Sequence, residues 1–141
     1  MIKRSATGRW EGNLKEGKGV LNTESGFANG AMTFASRFKD GQGTNPEELI
    51  GAAEAGCFSM FLAHLLASDG HPATSVETTA TVYLDEGGPQ ITKIELVTEA
   101  VVPGLSEEAY RQFVDKAKSN CPVSKALSAT TIEVKSATLK G

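Results

Sequence analysis

Cysteine is scarce in these 141 residues, with Cys57 and Cys121 the whole supply. Two cysteines do not make a disulfide framework, and their separation fits neither a CxxC redox box nor a zinc finger. Aromatic residues are few and tryptophan is single, so a base-stacking surface for nucleic acid is not expected. Positive charge is not in excess. A net charge of −3 and a pI near 5.4 argue against nucleic acid or an anionic membrane as the main partner. There is no phosphate-binding loop, no GxSxG elbow and no Ser/His/Asp arrangement. No repeat, low-complexity tract or linker divides the chain, so a single domain over 1–141 is expected. The opening MIKRSATGRWEG has basic residues but no apolar segment after them. It does not read as a secretory signal, which makes the cytoplasm the expected location.

What is present is one long apolar stretch, Thr44 to Gly70. It reads as a helix. Asn45 can cap its first turn and Pro46 suits its first position. Glu47 and Glu48 put negative charge at the positive end of the helix dipole. Gly70 and Pro72 stop it. Its apolar residues point in almost every direction, which predicts burial. A membrane span is not expected: Glu47, Glu48, Glu54 and His64 interrupt it, and Ala55 to Ala63 falls short of the ~18 apolar residues required.

The flanking segments read as strands. Arg4–Trp10, Gly19–Thr23 and Met32–Phe38 alternate between glycine-rich turns. Thr74–Leu84 and Ile91–Val102 read as a long antiparallel hairpin. Ser106 opens a second helix with the stripe Tyr110, Phe113, Val114 and Ala117. Pro122 opens a short helix through Leu127, and Thr131–Leu139 closes as a strand. Strands come in groups between helices. The expected class is α+β, a mainly antiparallel sheet packed on a long central helix, in the order β-β-β-α-β-β-α-β.

On residue types alone the cysteines stay ambiguous. Cys57 can be a small hydrophobe in a core helix. Cys121, at an Asn-Cys-Pro helix junction, sits where backbone N–H groups favour a thiolate. Cys57 and His64 are seven residues apart, ~10 Å along a helix, too far to share one zinc. Arg37 reads as a solvated strand residue, and Glu47 as a dipole-complementing one.

Two segments go further. TNPEELIGAAEAGCFSM and NCPVSKAL resemble the signature segments of the OsmC/Ohr family of thiol-dependent hydroperoxide reductases. GRWEGNLKEGKGVLNTESG, the SRF containing Arg37 and ITKIELVTEAVVPG are similar to the OsmC branch rather than the Ohr branch. The likeness covers essentially the whole chain. Gly56 stands where the family often has alanine, and Glu54 where it varies. The resemblance implies that Cys57 is the peroxidatic cysteine and Cys121 the resolving one, joined as a disulfide after peroxide has oxidised Cys57. It implies that Arg37 stabilises the Cys57 thiolate and that Glu47 holds Arg37. It implies an organic hydroperoxide substrate, a dithiol reductant of the dihydrolipoyl kind that can be protein-bound, and an intertwined homodimer; no cofactor or metal is expected.

A physical condition attaches to these roles. Burial in an apolar helix raises a thiol pKa, so Cys57 needs a cation, and the long helix contains no lysine. Glu47 and Cys57 are ten residues apart, ~15 Å on a straight helix. Either that helix breaks near Gly51 or Gly56, or the Arg37–Glu47 pair serves the Cys57 of a partner. The second is expected. The competing readings are a non-catalytic ligand-binding or interaction domain with structural thiols, and an acyl-transfer enzyme using Cys57, for which His64 is poorly placed as a base.

Overall fold

The computed structural model describes residues Met1–Gly141. In chain order the elements are strands β1 (Ala6–Glu11), β2 (Lys18–Thr23) and β3 (Asn29–Met32), helices α1 (Phe34–Phe38) and α2 (Pro46–Ser68), strands β4 (Ser75–Asp85) and β5 (Gln90–Val101), helices α3 (Glu107–Asn120) and α4 (Pro122–Ala126), and strand β6 (Thr131–Lys140). The class is α+β, as expected. The strands form two three-stranded sheets rather than one, ordered β1-β2-β3 and β4-β5-β6. The chain divides into two compact units, Met1–Leu49 and Ile50–Gly141, with the boundary inside α2.

In the first unit β1, β2 and β3 pair antiparallel. The β1–β2 turn is closed by Asn13, whose carbonyl accepts the Gly17 N–H at 2.9 Å and whose side chain accepts the Glu16 N–H at 2.8 Å. A Cβ on Gly17 would collide with the carbonyl oxygens of Glu11 and Asn13, so this turn demands glycine. The expected third strand, Met32–Phe38, is corrected: it ends at Met32, and Phe34–Phe38 is helical. The cause is a capping box. The Thr33 hydroxyl accepts the Ser36 N–H at 3.0 Å, and the Ser36 hydroxyl accepts the Thr33 N–H at 2.8 Å. The Phe34 and Phe38 rings then meet four residues apart, centroids at 4.9 Å. The start of α2 is capped as expected, Asn45 Oδ1 accepting the Glu48 N–H at 2.8 Å.

In the second unit α2 buries one row: Gly51, Glu54, Phe58, Leu62 and Leu66. These are three and four residues apart, one face of a helix. The other side, Ala52, Ala53, Gly56, Met60 and His64, is exposed, Met60 to 76%. Burial all round, expected from composition, therefore holds for one face of the single chain. By length and composition alone this helix would also pass for a membrane span. Gly70 ends it with φ +81°, and the His71 N–H reaches back to the Leu66 carbonyl at 2.9 Å.

The β4–β5 hairpin is antiparallel from Ser75↔Val101 to Asp85↔Gln90. β6 pairs with β5 in parallel. A parallel neighbour needs a crossover, and α3 and α4 supply it. The alternate residues Ile94, Leu96, Thr98, Ala100 and Val102 are buried, as are Tyr110, Val114 and Ala117 on α3. Three hydroxyls here pair with one another: Ser59 Oγ donates to Thr78 Oγ1 at 2.8 Å, and Thr78 meets Thr98 at 2.9 Å, while the Tyr110 hydroxyl is buried without a partner. Leu62, with no exposed surface, lies in this core. Leu62→Ala is expected to lower stability by about 2–5 kcal/mol, read as a lower denaturation midpoint at unchanged m-value.

Candidate active site

The two cysteines meet in the second unit. Cys121 is fully buried and Cys57 half-buried. Their sulfurs lie 3.0 Å apart, both as free thiols. The joint between α3 and α4 makes this possible. Cys121 ends one helix and begins the next: its N–H donates to the Ala117 carbonyl at 2.8 Å, and Pro122 follows at the first position of α4. The N–H of Val123, an unpaired donor of the α4 first turn, points to the Cys57 sulfur. The sequence assigned such a helix-start donor to Cys121; it serves Cys57.

Behind the sulfurs lies a second pair. Glu54 precedes Cys57 by three residues and Ser124 follows Cys121 by three. Both side chains are buried, and the Ser124 hydroxyl donates to Glu54 Oε1. Glu54 Oε2 is buried without a hydrogen-bond partner. Burial holds the Glu54 carboxyl above the ordinary glutamate range, against the opposing pull of the Ser124 hydrogen bond. Neither residue was assigned a role from sequence. The signal was a single carboxylate on an otherwise apolar stretch of helix, one turn before a cysteine.

Burial also pushes the Cys57 thiol up. Contact with the Cys121 thiol adds to this, the Val123 N–H opposes it, and negative charge on Cys121 or Glu54 raises it further. Every one of these groups belongs to the second unit, and none is a cation. A thiol in that setting is mostly protonated at neutral pH and a slow nucleophile.

The other two sequence-derived residues meet in the first unit. Arg37, in the last turn of α1, grips Glu47 with Nε at 3.1 and 3.3 Å and Nη2 at 2.7 Å. Glu47 is nearly buried, while the Arg37 side chain keeps 33% of its surface exposed. The guanidinium carbon stands 5.3 Å from the Phe38 ring centre. Beside it opens a cavity of about 400 Å³ lined by Trp10, Leu14, Met32, Phe34, Phe38 and Arg37. Phe58 on α2 is core and Met60 projects to solvent, while the apolar cavity lies on α1 and the first sheet.

A pair of apposed thiols on a two-sheet α+β fold defines a class, a protein able to cycle between dithiol and disulfide. Comparison with known proteins gives the family. Residues 39–136 match the OsmC-like protein family. The chain is 47% identical to peroxiredoxin OsmC of Escherichia coli strain K12 over 131 residues, 91% of this chain and 92% of that one. It is 33% identical over 88 residues to organic hydroperoxide resistance protein-like 2 of Staphylococcus saprophyticus, covering 60% of each. Among solved structures, an OsmC-like protein of unknown function from Vibrio cholerae superposes with a TM-score of 0.75 over 96% of this chain and 99% of that one, at 17% identity. The chain belongs to the OsmC family.

A carboxyl whose pKa rises on folding stabilises the fold when protonated, and that contribution is lost as pH climbs through the raised value. Glutamine carries no such titration. Glu54→Gln is therefore expected to melt increasingly above the unchanged protein as pH rises from about 4.3, with no gain below it. Melting curves across that range check the sign; a gap that narrows with rising pH would mean that the buried group is held as an anion.

Proposed function

We propose that the chain is a cysteine-based peroxidase that reduces organic hydroperoxides, and hydrogen peroxide less well, in oxidative or osmotic stress defence in the cytoplasm. The observation that carries the reading is the 3.0 Å approach of Cys57 and Cys121 in a member of this family. The Cys57 thiolate attacks the terminal peroxide oxygen; the O–O bond breaks, the alkoxide takes a proton and leaves as alcohol, and Cys57 becomes a sulfenic acid. The Cys121 sulfur then displaces the oxygen as water and a disulfide forms. An external dithiol, of the dihydrolipoyl kind, takes over the disulfide and restores both thiols.

Cys57 is the peroxidatic residue in this reading because it is the more accessible of the two sulfurs and receives the Val123 N–H. Arg37 supplies the missing cation and Glu47 fixes its direction through the forked ion pair. The helix α2 is unbroken through Gly51 and Gly56, which favours the second of the two alternatives read from spacing: Arg37 and Glu47 of one subunit serve Cys57 of its partner. A homodimer is supported by the exposed row of small residues on α2, Ala52, Ala53 and Gly56, with Met60 beyond. The family match runs across the boundary between the two units, which supports treating 1–141 as one family domain. The cavity beside Arg37 suits the organic part of a hydroperoxide, since most of its lining is aromatic or aliphatic.

Cumene hydroperoxide added to the reduced protein is expected to remove two thiols per chain and to link Cys57 to Cys121, read by mass spectrometry. Intact thiols in excess peroxide would leave the structural-thiol alternative standing. With Cys121→Ser, Cys57 is expected to accumulate as sulfinic acid, and full steady-state turnover with a dithiol would remove the resolving role. Arg37→Ala is expected to slow the peroxide reaction tenfold or more near neutral pH, about 1.4 kcal/mol or more, and to move the pH–rate profile to higher pH, because the thiol loses the charge that offsets its burial. An unmoved profile would remove the electrostatic role.

A further inference from the structure

Disulfide formation has a chemical requirement that the two sulfurs alone do not meet. When Cys121 attacks Cys57 sulfenic acid, the S–O bond breaks and the oxygen must leave. Hydroxide leaves poorly, so the oxygen needs a proton as it departs. Cys57 is open to solvent on one side only; on its inner side Cys121 and Glu54 are both fully buried, so a donor there must come from the protein. The groups that act on the Cys57 sulfur are the Cys121 thiol, the Val123 amide and Glu54. An amide does not release its proton, and the Cys121 thiol is the attacking group. Glu54 is the one carboxyl among them.

Its geometry suits the task. Glu54 lies three residues before Cys57 on the unbroken α2, where side chains are neighbours with Cβ atoms about 5–6 Å apart. Oε1 is engaged by the Ser124 hydroxyl, three residues after Cys121 on α4. That bond fixes the carboxyl against the segment that carries the attacking thiol. Oε2 is left buried and unpartnered, and in a neutral carboxyl with Oε1 accepting it is the oxygen that holds the hydrogen. The pKa direction agrees, since burial favours the neutral form. In its neutral form Glu54 is thus a proton donor without an acceptor, next to the cysteine on which an oxygen atom appears during the reaction.

We propose that Glu54 is the general acid of the disulfide-forming step, held in place by Ser124. The inference rests on the peroxidase reading above. The Cys121 sulfur forms its bond to the Cys57 sulfur, the Cys57 S–O bond breaks, and the oxygen leaves as water with the Glu54 proton. The proton released from Cys121 returns to Glu54. One sulfenic acid and one thiol become one disulfide and one water, and the carboxyl ends as it began. A role limited to bracing α4 against α2 would need only the Ser124 hydrogen bond, which an amide oxygen can also accept.

The test is a sequential-mixing experiment. One equivalent of cumene hydroperoxide first forms the Cys57 sulfenic acid; conversion to the disulfide is then followed by acid quench and intact mass. Glu54→Gln is expected to slow that conversion by about 100-fold and to divert the protein to sulfinic acid when peroxide is in excess. Conversion within about twofold of the unchanged protein overturns the proposal. Slow conversion in Glu54→Ala alone, with Glu54→Gln unaffected, assigns a bracing role and also overturns it. Should Glu54→Gln not fold, the unchanged protein in heavy water decides: a slower conversion supports the transfer of a proton, and equal rates in the two solvents overturn it. The unchanged protein separates the two levels of inference. If it loses no thiols to peroxide, the peroxidase reading falls and this one with it; if it forms the disulfide normally, only the role of Glu54 is at stake.

Discussion

Two sulfur atoms that begin 64 residues apart in sequence finish 3.0 Å apart. Much of the second unit is arranged so that they do. Cys57 is carried on α2, which is anchored through Phe58, Leu62 and Leu66 in the core. Cys121 is reached only by crossing the sheet, because β6 must return to pair with β5 in parallel. The crossover is α3, fastened by Tyr110, Val114 and Ala117. The helix stops at Asn120 and restarts at Pro122, and that joint turns the Cys121 thiol inward while aiming the Val123 N–H at Cys57. A continuous helix would have kept the Val123 N–H in its own ladder and left Cys57 without that donor.

Much of this was legible in the residues. Asn45-Pro46 and Gly70 mark the ends of α2 because capping and left-handed termination are local chemistry. The stripe on α3 and the alternation on β4 and β5 report burial directly. The segment after β3 is ambiguous in sequence because Met32, Phe34 and Phe38 satisfy two periods at once. Alternate residues fit a strand, while Phe34 and Phe38 are also a helical i, i+4 pair. The Thr33–Ser36 capping box decides in favour of the helix, and its serine at the third position is a weaker sign than the glutamate usually found there. The division into two sheets, and the parallel pairing of β6, depend on contacts remote in sequence, which no local pattern encodes.

Among the site residues, the four named from sequence form two pairs, Cys57 with Cys121 and Arg37 with Glu47. Resemblance to a family named all four, and residue chemistry alone did not. A cysteine on an apolar helix and an arginine near a loop have ordinary structural explanations, and geometry is what separates those from catalytic ones. Glu54 and Ser124 escaped both routes. Their signal is relational: each stands one turn from a cysteine, on the side facing the other segment. Nothing in either local window states that the two windows meet.

Burial sets opposite demands on the two ionisable groups beside these sulfurs. The thiol must become an anion to attack peroxide, so its apolar surroundings work against it and a cation has to be imported. The carboxyl is favoured as a neutral acid by those same surroundings, against the opposing pull of the Ser124 hydrogen bond. One low-polarity face of α2 therefore imposes a cost at Cys57 and prepares Glu54, three residues apart. A more polar environment would ease ionisation of the thiol but would also ionise the carboxyl, and an anion at Glu54 would raise the Cys57 pKa again. A localised cation is a better solution than general polarity, because it lowers one pKa without hydrating the site. The partly exposed Arg37 side chain, directed by Glu47, has the form such a solution requires.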